Sequence, residues 1–207
     1  MMLLSRRSLL TVAAGLLVFG PMSAFSQDQS GDPNQWILSI SNQVLDLIRG
    51  DAKLAAGDSG RVHVFVNDIV MPTVDFLRMT RMCIGPKWRT ATPEQRTKLQ
   101  GLFREQLIRV YSGALSAVKN QKAELAPSRL KPTDKDALVR TVLVEAGKPD
   151  IHLDYRLKKV KGLWYIVDVN VEGIWLVDNY RNQFAGIVNS SGIEGLIAEL
   201  EKKNAGA

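Results

Sequence analysis

The residue types that most often carry catalysis or bind metal ions are sparse in this chain. Among its 207 residues are two histidines, His63 and His152, and one cysteine, Cys83. A zinc site takes three or four His, Cys or carboxylate ligands at short, recognisable spacings. The two histidines stand 89 positions apart, and no second cysteine accompanies Cys83. The sequence therefore predicts no metal site and no cofactor, and we interpret Cys83 as a buried apolar side chain.

A Gly-Asp-Ser-Gly segment at residues 57–60 is the strongest candidate for a nucleophile. It is similar to the sequence around the reactive serine of chymotrypsin-like proteases, in which the catalytic His and Asp precede the Ser along the chain. Here both histidines follow Ser59. The segment also lies in a stretch rich in Gly, Ala and Asp with no predicted strand before it. We therefore interpret it as a loop.

Two carboxylates on neighbouring predicted strands, Asp154 and Asp168, leave an acid–base enzyme open as an alternative. Cone-shaped α+β folds host enzymes that use such carboxylates as general acids or bases. Alternation along its strand places Asp154 on the polar face, in water. Asp168 is predicted to share a face with Ile166, or to accept hydrogen bonds from the backbone at the start of the next helix. The leading prediction is a protein that is not an enzyme and has no catalytic residue.

The first 26 residues have the layout of an export signal. Arg6 and Arg7 form a basic start, an uncharged apolar run follows over residues 9–19, and Ala24 and Ser26 are the small residues expected before a cleavage site. The apolar run is about half of the ~20 residues that a membrane-spanning helix needs. We predict a signal peptide at 1–26 and a periplasmic protein. The paired arginines leave Sec and twin-arginine export both open.

The remaining residues, 27–207, are enough for one domain with a substantial core. Loss of the two arginines leaves a net charge of +4. This is a mild charge, and no dense basic run with interleaved aromatic residues accompanies it, so nucleic acid is not an expected partner. A single cysteine forms no internal disulfide, so the core must hold the fold.

Helical and strand patterns occupy separate parts of this domain. Apolar residues recur at helical spacing near the start, over the middle and at the end of the chain, although three alternating valines make 61–70 ambiguous between helix and strand. Segments rich in β-branched and aromatic residues, separated by turn signals, predict an antiparallel meander. The predicted helices are 36–50, 61–70, 74–82, 93–120, 174–189 and 193–203, and the predicted strands are 137–145, 151–160 and 163–169, with a less certain strand at 124–130.

This order predicts an α+β fold in which helices wrap one face of a curved antiparallel sheet. The second strand alternates apolar residues, from Ile151 to Leu157, with polar residues, from His152 to Lys158. A curved sheet covered by helices leaves a concave space between them, which is where an apolar ligand would lie.

The start of the long middle helix carries the most specific sequence signal. Thr92 is a good N-cap, Pro93 suits the first helical position, and Gln95 completes a capping box. This region, which reads Trp-Arg-Thr-Ala-Thr-Pro-Glu-Gln-Arg from residue 88 and leads to Phe103 and Tyr111, resembles the MlaC family of periplasmic phospholipid-binding shuttle proteins, also called toluene-tolerance proteins.

A second block strengthens the resemblance. It begins with Gly162-x-Trp164-x-Ile166-x-Asp168. It continues with Val-Glu-Gly-Ile from residue 171 and then with Asn-Tyr-Arg-x-Gln-Phe from residue 179. The tail from Gly192 also matches, so the resemblance covers nearly all of 27–207. Trp175 departs from the family pattern, which usually has a small polar residue there. It either narrows the cavity, stacks on a different ligand or packs on a neighbouring helix.

The resemblance implies an NTF2-like cone that encloses an apolar cavity. It implies a carrier that binds the acyl chains of a phospholipid and shuttles the lipid between the outer membrane and an inner-membrane ABC transporter. The implied partners are that ABC transporter complex and an outer-membrane lipoprotein–porin complex. Some family members are associated with hopanoids, which makes a hopanoid carrier a second alternative beside the enzyme.

Twelve apolar or aromatic residues are predicted to line the cavity. They lie on the predicted helices and on the apolar face of the meander, although apolar residues at regular spacing also form ordinary cores. These residues are Phe65, Ile69, Val70, Phe76, Leu102, Phe103, Leu107, Tyr111, Ile151, Leu153, Tyr155 and Ile166.

Overall fold

The computed structural model describes residues 28–127, 133 and 135–206, so the predicted signal peptide lies outside the described residues. Within those ranges, no helix is long and apolar enough to cross a membrane. The helices are α1 (Pro33–Gly50), α2 (Ala52–Ala55), α3 (Ser59–Phe65), α4 (Phe76–Ile84), α5 (Pro93–Tyr111) and α6 (Leu176–Asn204). The strands are β1 (Lys122–Leu125), β2 (Asp136–Val144), β3 (Ile151–Val160), β4 (Leu163–Val171) and β5 (Ile174–Trp175).

The predicted cap of the middle helix is confirmed. The backbone N–H of Gln95 donates to Thr92 Oγ1 at 3.2 Å, and the backbone N–H of Thr92 donates to Gln95 Oε1 at 2.8 Å. The predicted end near residue 120 was wrong, because α5 ends at Tyr111 and a 3₁₀ segment, Ser112–Ala117, follows. Ser112 and Gly113 are weak helix formers, which explains the change at that point.

The ambiguous segment at 61–70 is helical, as predicted, but not as one regular helix. After α3 the chain widens into a π-helical turn at Val66–Val70, here called the π segment, and then tightens into a 3₁₀ turn at Met71–Thr73. Pro72 has no N–H with which to continue an α-helical ladder. Asp75 then caps α4 by accepting the backbone N–H of Arg78 at 3.0 Å, so α4 begins later than predicted.

The five strands form one antiparallel sheet in chain order, and the predicted α+β class and meander are confirmed. The uncertain strand is β1, and residues 128–130 of that prediction lie outside the described residues. Asn42 on α1 covers the outer edge of β1, because its amide exchanges hydrogen bonds of 3.0 and 2.9 Å with the backbone of Ala123.

A β-bulge in β4 decides which side chains share a face. Arg156 pairs with Asp168 and Leu157 pairs with Ile166, so Val167 is the extra residue. Ile166 therefore lies on the apolar face with Leu157, and Asp168 lies on the opposite face with Arg156. The prediction that Asp168 shares a face with Ile166 was wrong, because a bulge reverses the alternation beyond it.

Among the described residues, three buried clusters hold the helices and the sheet together, and one of them, which includes Leu54, Phe65 and Ile108, joins α1 and α2 to α3, the π segment and α5. On the apolar face of the sheet, Trp36 and Ile37 of α1 pack with Val139, Leu157 and Ile166. A larger cluster joins α4, α5 and α6, and four aromatic rings form its centre: Phe76, Phe103, Tyr180 and Phe184.

The two predicted C-terminal helices are the two halves of α6. They meet at Gly192, whose φ of 68° and ψ of −164° break the helical path. This backbone conformation is essentially restricted to glycine. The bend lets both halves present buried residues to the same cluster, with Phe184 and Val188 before it and Leu196 and Leu200 after it.

Candidate apolar binding pocket

An open pocket lies between α3 and the π segment on one side and α5 on the other, with β4 and the start of α6 at its base. Its cavity volume is about 280 Å³, and the surface it presents is apolar. We call it the apolar pocket. It is lined by Val62, Phe65, Val66, Val70, Met71, Val74, Phe76, Met79, Leu107, Ile108, Tyr111, Leu115, Val169 and Leu176, together with Arg104 and Ser112.

The π segment shapes the side of this pocket. A π-helical turn holds one more residue than an α-helical turn, and such turns are frequent at functional sites. Val66 and Val70, at its two ends, both face the pocket. Ile69, one residue earlier than Val70, faces a different depression. Ile69 and Val70, which the helical pattern had grouped on one face, therefore line two different depressions.

That second depression is larger, about 550 Å³, but its chemistry is different. Four charged side chains line it: Asp46, Asp51, Arg61 and Asp68. Charged side chains keep their hydration in such a depression. It is therefore better suited to water than to an apolar ligand, and the smaller apolar pocket is the stronger candidate site.

Two polar contacts join the walls of the apolar pocket. His63 on α3 lies 2.5 Å from Glu105 on α5, from His63 Nε2 to Glu105 Oε2, and Arg104 Nη1 donates to Asn67 Oδ1 at 3.1 Å. The second ring nitrogen of His63, Nδ1, donates to the Ser59 carbonyl at 2.7 Å. Because both ring nitrogens face acceptors, the pKa of His63 is raised above its ordinary value, with the Glu105 carboxylate as the main cause.

Five of the twelve residues predicted to line the cavity lie around the apolar pocket. They come from α3, the π segment, α4 and α5, and the first and last of them are 46 positions apart in the sequence. These residues are Phe65, Val70, Phe76, Leu107 and Tyr111.

The other seven lie elsewhere, and their contact with lipid stays a prediction. Phe103 is 1 % exposed within the aromatic cluster, where Leu102 packs against it. Ile166 is buried under α1, and Tyr155 lies within hydrogen-bonding distance of Ser41, at 3.4 Å between their hydroxyl oxygens. Ile69 faces the charged depression. Ile151 is the first residue of β3 and is 38 % exposed, and Leu153 lies two residues further along the same strand.

Several lining residues were missed. Val62 and Val66 share the helical face of Phe65, and the spacing of three to four residues was a signal that could have placed them in the pocket. Val169 and Leu176 carried no such signal. They reach the pocket only because β4 and the start of α6 pack beneath α4, a contact between residues about 100 positions apart.

The candidates for catalysis have structural roles outside this pocket. Asp58 caps α3 by accepting the backbone N–H of Arg61 at 2.9 Å, and Ser59 is the first residue of that helix. The interpretation of residues 57–60 as a loop was therefore wrong for Ser59 and Gly60, because the Asp58 cap starts the helix two residues earlier than predicted. Burial raises the pKa of Cys83 to about 12, so its thiol stays protonated. In the part of the chain that the structure describes, no group of three or more His, Cys, Asp or Glu side chains could hold a metal ion.

Asp168 is buried and secures the junction between the sheet and α6. Its carboxylate accepts the backbone N–H of Val177 at 3.0 Å and of Val169 at 2.9 Å, and Arg156 Nη1 lies 3.0 Å from it. Burial raises the pKa of Asp168 from its ordinary value, against the effect of these donors. The prediction that it accepts hydrogen bonds at the start of the following helix is confirmed.

Comparison with known proteins agrees with this architecture. A family model described as MlaC protein matches residues 39–202, which is most of the chain. The chain belongs to the MlaC family.

Two curated relatives and one solved structure are similar to this chain. The chain is 24% identical over 177 residues to toluene tolerance protein ttg2D of Pseudomonas putida, covering 82% of each chain. It is 23% identical over 148 residues to the intermembrane phospholipid transport system binding protein MlaC of Haemophilus influenzae, covering 70% of this chain and 69% of the relative. A phospholipid-binding protein from Ralstonia solanacearum, solved in complex with a phospholipid, matches with a TM-score of 0.79 and 36% identity, over 84% of this chain and 98% of that one.

Trp175, the departure from the MlaC pattern, does not line the apolar pocket. It pairs with Asn170 in the sheet, and Asn170 shares the polar face with Asp154. There its ring lies 3.8 Å from the guanidinium carbon of Arg156, a cation–π contact. Because Trp175 lies across the sheet from the pocket, it is no longer an argument for a ligand of different shape.

Proposed function

We propose that this chain is a periplasmic phospholipid carrier whose apolar pocket holds acyl chains while the head group stays in water. The observation that carries the proposal is the apolar surface of the pocket between α3, the π segment and α5. Membership of the MlaC family and likeness to a structure with bound phospholipid support it. Among the described residues, no carboxylate or imidazole lines this pocket, which favours binding over acid–base chemistry.

The energetics of lipid transfer require such a surface. Each methylene group removed from water contributes about 0.8 kcal/mol, so two long acyl chains oppose leaving a bilayer by about 20 kcal/mol or more. A carrier offsets this cost only by offering the chains an apolar environment of comparable extent. Exchange between membrane and pocket is then nearly neutral, and its direction comes from the partners.

The pocket must widen to take up its ligand. Its volume of about 280 Å³ is near the lower limit of ~300–1,000 Å³ for pockets that bind drug-sized ligands, and a diacyl phospholipid is larger than those. Separation of the π segment from α5 would enlarge it. The polar contacts across that boundary are His63 with Glu105 and Arg104 with Asn67, both partly exposed and therefore readily exchanged for water.

In this proposal the carrier moves between two membranes. Export by the signal peptide at residues 1–26 places it in the periplasm. It exchanges phospholipid with a lipoprotein–porin complex of the outer membrane and with an ABC transporter of the inner membrane, as the MlaC resemblance implies. ATP hydrolysis by the transporter would supply the direction that the binding equilibrium lacks.

Native mass spectrometry of residues 27–207, purified without detergent from the periplasm, tests lipid carriage directly. We expect an adduct of phospholipid mass, and phospholipid in an organic extract. Substitution Val70→Phe occupies part of the pocket and should lower the lipid-bound fraction by roughly tenfold, since a mismatch of one methylene group in an apolar pocket already changes binding by about 1–3 kcal/mol.

The matched control is Val110→Phe, which adds the same atoms on α5 at a side chain that is 50 % exposed and outside the pocket lining. It should carry lipid as the wild type does. A hopanoid in the extract would identify a hopanoid, instead of a phospholipid, as the ligand. A mass without any adduct, combined with no uptake from liposomes, would remove the carrier proposal.

A further inference from the structure

Among the described residues that line the apolar pocket, Arg104 is the one that carries a charge. It lies on α5 one turn before Leu107 and Ile108 and two turns before Tyr111, which places it on the helix face toward the pocket. Its side chain is partly buried. An arginine at such a boundary can bury its methylene groups along the apolar wall and keep its guanidinium in water.

The guanidinium has a neutral hydrogen-bond partner, Asn67, whose amide oxygen accepts from Nη1 at 3.1 Å. This hydrogen bond joins the two walls of the pocket, so it is released when the walls separate and frees Nη1 for a ligand. The neighbouring carboxylate, Glu105, contacts His63 instead. Within residues 28–127, 133 and 135–206, no carboxylate oxygen lies within 4.0 Å of a nitrogen of Arg104. Among the described residues, the Arg104 side chain donates to Asn67 alone, so most of its five N–H donors are available to a ligand.

We propose that Arg104 binds the phosphate group of the lipid whose acyl chains occupy the apolar pocket, and that it selects lipids that carry phosphate. This inference rests on the proposed carrier function. A planar guanidinium matches the oxygens of a phosphate with two parallel hydrogen bonds, and such charge-assisted bonds are about twice as strong as neutral ones. The adjacent apolar wall excludes water on one side and strengthens the attraction.

The position of Arg104 beside the pocket also explains how a single cation can bind the phosphate of a lipid. Acyl chains in the pocket hold the head group at the boundary, so the phosphate is delivered to the guanidinium at high effective concentration. Free phosphate has no such anchor, and a single exposed arginine binds it weakly. The site is therefore selective for phosphate on a lipid, and an uncharged diacyl lipid loses the contact while keeping its chains in the pocket.

The experiment compares lipids that differ only in the head group. Delipidated wild-type protein and Arg104→Met are incubated with phosphatidylcholine vesicles that contain small, equal amounts of phosphatidylglycerol and diacylglycerol, all with the same acyl chains. Native mass spectrometry then gives the ratio of bound phospholipid to bound diacylglycerol. We expect this ratio to fall about tenfold in Arg104→Met, the loss of one charge-assisted contact.

The matched control is Lys98→Met, which removes a cation from the same helix at a side chain that pairs with Glu201 outside the pocket. Its ratio should equal that of the wild type. If Arg104→Met does not fold, as judged by circular dichroism, Arg104→Gln replaces it, because glutamine can still donate to Asn67. Its ratio should fall in the same direction.

The possible results separate the two proposals. A wild-type ratio in the folded Arg104 variant would overturn the role of Arg104 and leave lipid carriage intact, whereas no lipid of any kind on the wild type would remove both. Calorimetric titration of delipidated protein with inorganic phosphate should give no Arg104-dependent binding at millimolar concentration. Such binding would assign the site to free phosphate and overturn the selection of lipids.

Discussion

Phe103 is at the centre of the aromatic cluster that joins α4, α5 and α6. Its ring centroid lies 5.6 Å from that of Phe76, 4.9 Å from Tyr180 and 5.4 Å from Phe184. Stacked and edge-to-face arrangements at these distances contribute beyond the apolar area they bury. The residue belongs to the motif that resembles the MlaC family, and its place in the structure assigns it to stability rather than to the pocket surface.

Replacement of Phe103 by alanine should therefore lower the free energy of unfolding by about 3–5 kcal/mol, because it leaves a cavity among three helices. Urea denaturation of the delipidated protein measures this change. Val110→Ala on the same helix, at a half-exposed side chain, should change it by less than about 0.5 kcal/mol. A change in Phe103→Ala as small as that of the control would mean that the cluster does not bear on stability.

Single residues also show why spacing alone does not tell which of the twelve predicted residues face the apolar pocket. Phe103 and Leu107 are both apolar and lie four positions apart on α5, yet one is in the core and the other faces the pocket. A helix packed on two sides presents apolar residues to both. Sequence periodicity identifies the buried side of such a helix, but it does not tell a filled core from an open pocket.

At the scale of elements, α3 and the π segment form a wall that packs on Ile108 of α5 and is also joined to α5 by polar contacts. The ion pair of His63 with Glu105 is one of them, and both side chains are more than a third exposed. The ion pair forms when His63 is protonated, and the pKa of His63 is raised in the folded protein. Its contribution to stability is therefore fully present below the unfolded pKa of ~6.5 and is lost as pH rises through the higher folded value.

We expect the wild-type free energy of unfolding to decrease as pH rises through this range, by less than about 1 kcal/mol from this pair, as is usual for exposed ion pairs. His63→Asn and Glu105→Gln each remove the pair and should flatten that part of the profile, His63→Asn more completely, because the Ser59 carbonyl still favours protonated His63 in Glu105→Gln. Urea denaturation at a series of pH values measures the slope. An unchanged slope in both variants would show that the pair does not contribute.

The bend in α6 is a second feature at this scale. Gly192 has a φ of 68° that other residues adopt only with strain, although no atom would block an added Cβ. Gly192→Ala should therefore lower the free energy of unfolding by about 1–3 kcal/mol through backbone strain alone.

Gly186 on the same helix provides the control, because it is exposed, its φ is not positive and an added Cβ would also meet no atom. Gly186→Ala should stabilise the protein by about 0.5–1 kcal/mol, since alanine favours a helix more than glycine does. Thermal unfolding followed by circular dichroism measures both changes. Equal effects of the two substitutions would contradict a specific role for the bend.

At the scale of the whole molecule, two arrangements define what the protein can bind. One face of the sheet is filled by α1, and the aromatic cluster fills the space among α4, α5 and α6. The apolar pocket lies where these two cores meet the third cluster, with Phe76 from the aromatic cluster, Val169 from beside the sheet core and Phe65 from the third cluster in its lining. A pocket at a boundary between rigid cores can widen by a small separation of its walls, without disruption of any one core.

The sequence by itself determined the order and type of most elements. Turn residues at 147 and 162 delimited the strands, the capping box at Thr92 started α5, and the alternation in β3 identified its apolar face. These features are local, since they depend on residues within one or two turns of each other. The two blocks that resemble the MlaC family added the family and its expected function.

Only the tertiary structure decided where the pocket lies and which side chains face it. The bulge at Val167 moved Asp168 to the other face, the elements packed around the π segment left Val70 facing the apolar pocket and Ile69 facing the charged depression, and the packing of β4 beneath α4 brought Val169 to the pocket. Each of these depends on backbone irregularity or on contacts between distant residues. Local periodicity assumes a regular backbone and carries no information about what packs against it. The position of the pocket and the side chains that face it could therefore not be predicted from the sequence.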